Sequence, residues 1–231
     1  MANSGVREIL SVGSDRSPAR AREDYVKAIY QLGADGPVRA AALARYLKVS
    51  RVSVSKAKRA LQAEGLLEHA KVASQPLRLS GRGYKLAVAM VRRHRVLETF
   101  LHRALHMPLE RVHAEAERIE HAISDDVALR IAALLHHPQS DPHGHPIPYG
   151  DTVPVRKPLP TLASLPVGSR VRVVSLDDRN DDAVAALATA GVLPGSTLRI
   201  ERKERGWVFV RRGSRTLALL RSHAAMVRIG T

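Results

Sequence analysis

Apolar residues recur at helical spacing from about residue 22 to residue 136 and alternate with polar ones in short runs from residue 170 to residue 229. Helices are therefore expected first and strands last. Over 22–32, Tyr25, Val26, Ile29, Tyr30 and Leu32 follow one helical pattern, which Gly33, Gly36 and Pro37 bring to a stop. Residues 40–47 and 52–64 form two shorter helices. Lys48, Val49 and Ser50 separate them, a connection short enough to make them cross steeply, as in a helix-turn-helix. After Gly65, residues 66–71 and 77–79 read as strands around a turn at 74–76, which predicts a β wing. Helices over 83–106, 109–123 and 125–136 are punctuated by Pro108 and by Ser124 with Asp125. Eight of the 13 prolines fall between Pro138 and Pro166, too many for a packed helix, so a linker is expected there. Strands over 170–176, 197–202, 207–211, 216–219 and 226–229, with a helix over 183–190, complete the chain as a small β-barrel. Residues 1–19 are small and polar without periodicity and read as a disordered tail.

Composition narrows the chemistry. No apolar run is long enough to cross a membrane, and no signal-type segment follows Met1, so a cytoplasmic protein is expected. The absence of cysteine excludes disulfides, thiolate zinc sites and iron–sulfur clusters; a bound metal must use nitrogen and oxygen. The net charge of +15 points to a polyanionic partner, nucleic acid first. Its placement is uneven. Eight Lys or Arg lie between Arg39 and Lys71 against Glu64 and Glu68, whereas six acids lie between Leu109 and Asp126 against Arg111 and Arg118.

The basic stretch suits a recognition helix. Ser50, Arg51, Ser53, Ser55, Lys56 and Arg59 offer short polar and basic side chains to a duplex, and Val54, Ala57 and Leu61 supply the face that packs inward. Arg39 and Lys71 are candidate phosphate contacts, which position a protein without reading sequence. An ordinary solvated basic helix is the competing reading.

The acidic stretch carries the second chemistry. His113, Glu117, Glu120 and His121 are spaced to share a helix face, and His94 and Glu98 stand four apart on the helix before. Two half-sites for a divalent cation on neighbouring helices are one reading; a solvated charged face with chance histidine pairings is the other. His69, His102, His106, His136, His137, His143, His145 and His223 lack such partners and read as surface or packing residues. Acid–base catalysis by the carboxylates would need a nucleophile and oxyanion donors, and no such motif accompanies them, so an enzyme is not expected.

The order of these motifs resembles the diphtheria toxin repressor family of metal-dependent transcriptional regulators, including its manganese-responsive branch. The likeness runs from Glu23-Asp24-Tyr25 through the segment from Ser50 to Leu61, Leu79-Ser80-Gly81-Arg82-Gly83, Arg93-His94-Arg95, and Glu120-His121 with Ser124-Asp125. It continues over Pro142-His143-Gly144-His145-Pro146-Ile147-Pro148 and a terminal module containing Ala190-Gly191-Val192-Leu193-Pro194-Gly195. The resemblance implies a mainly α fold with a β wing: a winged helix-turn-helix over 20–83, an all-α dimerisation domain over 84–140, a Pro-rich linker over 141–160 and an SH3-like β-barrel over 161–231. It implies a primary metal site at Asp24, Glu117, Glu120 and His121 and an ancillary one at His94, Glu98 and His113. From the acidic run Asp177, Asp178, Asp181 and Asp182, Asp181 is the expected ligand of the SH3-like domain.

Iron-responsive relatives carry Met and Cys where this chain has Asp24 and Glu117, and harder oxygen donors favour manganese over iron. One manganese-specific group has Glu where this chain has Lys27, so a cluster using that Glu cannot form, and iron stays an alternative. The resemblance thus implies a homodimer that, with Mn²⁺ bound, grips an inverted repeat in double-stranded DNA and represses metal uptake genes. A DNA-binding regulator sensing an organic ligand is a further alternative.

Overall fold

The computed structural model describes residues 17–34, 36–69, 75–150 and 159–230 and divides into two compact units, Met1–Ala87 and Val88–Thr231. The first unit holds α1 (Pro18–Gly33), α2 (Ala40–Tyr46), α3 (Arg51–Ala63) and the first turns of α4 (Gly81–Arg103). Helix α1 begins four residues earlier than periodicity suggests. Ser17 accepts a hydrogen bond from the Arg20 amide and Pro18 occupies the first turn, so capping chemistry starts the helix before its apolar face does. The remaining tail, 1–16, lies outside the described residues.

Helix α3 is capped by Ser50, whose hydroxyl accepts from the Ser53 amide at 3.0 Å, and it buries Val54 and Leu61. These meet Val26, Ile29 and Leu43 in one core. The expected wing is present as two isolated antiparallel bridges, Leu67 with Leu79 and Val38 with Leu77; residues 70–74, with Lys71, lie outside the described residues. Gly83 lets α4 start tight against this sheet: a Cβ there would sit 2.0 Å from the Leu66 carbonyl oxygen.

The second unit takes α4 onward from Val88 and adds α5 (Leu109–Ile119), α6 (Asp125–Leu134), the segment 138–150 and a C-terminal sheet. Leu97, Leu101, Val112 and Ala116 join α4 to α5, and Val96, Ala132 and Ile147 join α4 to α6 and the following segment. Ser124 caps α6 through the Val127 amide. The Pro-rich stretch expected to be a linker is packed over 138–150: Asp141, His143, Ile147 and Pro148 are buried. Proline excludes helix but not burial, and turns at 141–145 satisfy the backbone locally, with Gly144 donating to the Asp141 carbonyl and Asp141 to that of His145.

The C-terminal module comprises β1 (Arg170–Leu176), α7 (Asp181–Thr189), β2 (Thr197–Glu204), β3 (Trp207–Arg212), β4 (Arg215–Leu220), a short α8 (Arg221–Ala224) and β5 (Val227–Gly230). Its sheet is open, in the order β4-β3-β2-β1-β5, and every pair is antiparallel. This corrects the expected closed barrel. Helix α8 carries the chain from β4 at one edge to β5 at the other, and the two edge strands do not pair. Alternation sends Val171, Val173, Leu198, Ile200, Val208 and Val210 into the core beside Leu187 of α7.

Candidate metal centre

The motif Arg93-His94-Arg95 on α4 organises a buried polar cluster in the second unit. Arg93 donates to the carbonyls of Glu120 and Ile123 and pairs with Asp125 at 3.0 Å, which ties down the end of α5. Arg95 donates to the Pro146 carbonyl and faces Asp141 at 3.6 Å, which ties down the 141–146 turn. Between them His94 points into the protein. Its Nε2 lies 3.0 Å from Glu98 Oε1 and 3.1 Å from His113 Nδ1, and its Nδ1 lies 2.7 Å from Glu120 Oε2.

Helical spacing on α4 and α5 thus does bring His94, Glu98 and His113 together, with Glu98 fully buried. The donor that joins them from the C-terminal module is Asp178, whose Oδ2 lies 3.5 Å from His113 Nδ1. Asp181 stands exposed in the first turn of α7. The reason is local: Asn180 caps α7 by accepting from the Ala183 amide, which makes Asp181 the first helical residue and leaves Asp178 on the approach from β1.

Two further donors come from residues read in sequence as surface or packing histidines and a linker. His143 is fully buried, with Nδ1 3.8 Å from both Glu98 and Asp178, and Asp141 is buried beside it. His94, Glu98, His113 and Asp178 form one donor group, and Glu98, Asp141 and His143 another; within each, the ligating atoms lie within 4.8 Å of one another. The one signal for the second group was the motif Asp141-Pro142-His143-Gly144-His145, which carries no periodicity. Gly144 makes it possible, since at φ +90° a Cβ would sit 2.1 Å from the Val174 carbonyl oxygen, and the Leu176 amide donates to the His143 carbonyl.

The electrostatics of the cluster suit a bound cation. His143 Nε2 donates to the Leu109 carbonyl at 3.1 Å, so in the neutral ring the Nδ1 lone pair faces two carboxylates. That nitrogen and Glu98 Oε2 are buried without a hydrogen-bond partner. Such an arrangement repels itself unless positive charge lies between the groups. Burial raises the Glu98 carboxyl pKa, yet His94 and then His113 hold it well below the usual range. Burial opposes charge on His113, and Asp178 and Glu98 outweigh it and raise its pKa. His145, bonded to Asp141 against the same opposing burial, is pushed up to about 9. Imidazole nitrogens and carboxylate oxygens are donors that Mn²⁺ and Fe²⁺ accept, so the residues present fit a divalent ion.

The other expected metal residues are distributed as follows. Glu120 is buried at the end of α5, and His121 Nε2 lies 3.5 Å from its Oε1. Glu117 is largely exposed, 3.8 Å from His113. Asp24 is half-buried on α1 in the first unit. On the nucleic-acid side, Ser50, Arg51, Ser53, Ser55, Lys56 and Arg59 are all exposed along α3, and Arg39 is exposed at the start of α2. Val52, 75% exposed on the same helix, went unremarked in the sequence; an apolar side chain on a recognition face suits contact with a thymine methyl.

A helix-turn-helix whose recognition helix offers basic and small polar groups, followed by a buried histidine–carboxylate cluster, defines a metal-dependent DNA-binding regulator rather than an enzyme. Residues 19–73 match the iron dependent repressor N-terminal DNA-binding domain, 80–149 the iron dependent repressor metal binding and dimerisation domain, and 161–229 the FeoA domain. The iron-dependent repressor IdeR of Mycobacterium leprae is 34% identical over 202 residues, covering 81% of this chain and 86% of its own. The diphtheria toxin repressor of Corynebacterium diphtheriae is 28% identical over 221 residues, covering 90% and 95%. A solved manganese-dependent transcriptional repressor in complex with manganese superimposes with a TM-score of 0.80 at 34% identity, covering 90% of this chain and 98% of that one. The chain belongs to the diphtheria toxin repressor family of metal-dependent transcriptional repressors.

Proposed function

We propose that this protein is a cytoplasmic, Mn²⁺-activated repressor of metal uptake genes, which binds as a homodimer to an inverted repeat with half-sites about one helical turn, roughly 10 bp, or a multiple apart. One observation carries the metal half of the reading: the buried lone pairs of His143 Nδ1 and Glu98 Oε2 face a cluster of carboxylates and imidazoles that only positive charge reconciles. His94, Glu98, His113 and Asp178 are the proposed ancillary ligands, with Asp141 and His143 completing the donor set. Asp178 replaces Asp181 in this role. Asp24, Glu117, Glu120 and His121 are the proposed activating ligands, by their match to the family motif. A donor set of oxygen and imidazole nitrogen, with no sulfur, is the support for manganese.

The DNA half rests on α3, where Ser50, Arg51, Ser53, Ser55, Lys56 and Arg59 are the proposed contacts, with Arg39 at the backbone. The test is anisotropy binding to a duplex from a manganese-importer promoter, with and without Mn²⁺, for the native protein and Glu120→Ala. Native binding is expected to tighten with Mn²⁺ and the variant's to stay weak; equal affinity in all four conditions refutes the switch. Iron is the second reading, favoured by the iron-dependent repressors among the relatives. Metal content after loading from an equimolar Mn²⁺ and Fe²⁺ mixture under anaerobic conditions decides between them.

A further inference from the structure

The outer face of the C-terminal sheet carries arginines in register. β1 pairs Arg170 with Arg199 of β2, and β2 pairs Arg199 with Arg211 of β3. Arg172 lies two residues along β1 on the same face, opposite Thr197, and the row ends on β4 at Thr216. All four arginines are exposed, while the residues alternating with them, Val171, Leu198, Ile200 and Val210, fill the core. Glu201 bonds Arg211 and Thr216 at one end of the row. Among the described residues, Arg170, Arg172 and Arg199 form no salt bridge with a carboxylate.

Like charges directly opposite one another on neighbouring strands oppose sheet formation, and nothing in the fold of this module requires arginine at these solvent-facing positions. An anion laid across the strands removes that repulsion. Neighbouring strands stand about 4.8 Å apart, so the row from Arg170 to Arg211 extends roughly 10 Å. Duplex DNA presents a phosphate about every 3.4 Å of axis on each strand, so a comparable length of axis carries about three on one strand.

From this register and charge we infer that the Arg170, Arg172, Arg199 and Arg211 face is a second DNA-backbone contact, separate from the recognition helix and indifferent to sequence. The inference rests on the reading that the chain binds duplex DNA. Guanidinium forks hold phosphate oxygens through paired N–H donors, which suits backbone gripping and carries no base readout.

The test uses the full-length, Mn²⁺-loaded protein and a random-sequence 40-bp duplex, titrated by anisotropy over a series of NaCl concentrations. The variants are Arg170→Gln/Arg172→Gln/Arg199→Gln together, each single change, and Arg51→Gln/Lys56→Gln on α3. The triple variant is expected to flatten the slope of log K against log[NaCl] by about 2 to 3, and each single change by about 0.9. Arg→Lys at all three positions is expected to restore most of the slope. Native slope and affinity in the single and triple variants, with the α3 variant impaired, overturn the sheet contact alone and leave an acidic protein partner for this face. Failure of the native protein to bind any duplex overturns the regulator reading with it.

Discussion

Gly144→Ala offers a direct test of how the buried cluster is assembled. Residue 144 has φ +90°, which costs an alanine about 2 kcal/mol in backbone energy. Its Cβ would also lie 2.1 Å from the Val174 carbonyl oxygen and 3.0 Å from the Ser175 Cα. Both are backbone atoms of β1, so the 141–145 turn has to lift from the strand. Lifting it breaks the 2.9 Å hydrogen bond from the Leu176 amide to the His143 carbonyl, a further loss of about 1 kcal/mol. About 3 kcal/mol in a chain of this size corresponds to a fall of about 6 to 12 °C in Tm. The same displacement draws His143 Nδ1 away from Glu98 and Asp178, so Mn²⁺ affinity measured by calorimetry at a temperature where the variant is folded should fall at least about tenfold. Native Tm together with native Mn²⁺ affinity would show that the turn is not what brings these donors together.

Other outcomes follow from the same geometry. Glu98→Gln keeps the volume but removes the charge between His94 and His113; calorimetry should show Mn²⁺ binding weakened at least about 10- to 100-fold, and unchanged binding rejects Glu98 as a ligand. Mn²⁺ at 100 times its Kd should stabilise the native protein by about 2.7 kcal/mol in chemical denaturation, reversed by chelation; no shift would mean that the folded state does not hold the ion.

Much of the helical half was legible because caps and periodicity agree there. Ser50 and Ser124 cap α3 and α6 where the sequence places the breaks, and the i to i+4 spacing of His94 and Glu98 puts both on the inner side of α4. The start of α1 was missed because its signal is a serine and a proline ahead of any apolar repeat. The rest of the site was illegible for a different reason. Asp141, His143 and Asp178 sit in turns, where no period links them to one another, and tertiary contacts, that of Gly144 with β1 among them, make them neighbours of Glu98. Asp178, and not the expected Asp181, lies in the cluster because Asn180 caps α7 and leaves Asp181 exposed in its first turn. Sheet closure was beyond reach because a short helix and a hairpin turn between β4 and β5 look alike in a run such as Arg221-Ser222-His223-Ala224.

The donors of the buried cluster are drawn from positions 94 to 178, whereas the recognition helix and its core are complete by residue 87. A chain made from its amino terminus therefore finishes the recognition helix and its core roughly 90 residues before it makes Asp178, an interval of about 5 to 18 s at ordinary rates of synthesis. During that interval the nascent protein carries the recognition helix without a complete ancillary donor set. The ancillary donor set is in this sense the last part of the metal-binding apparatus the polypeptide acquires, and a transcript cut short before β1 would encode the helix-turn-helix and the proposed activating ligands without Asp178.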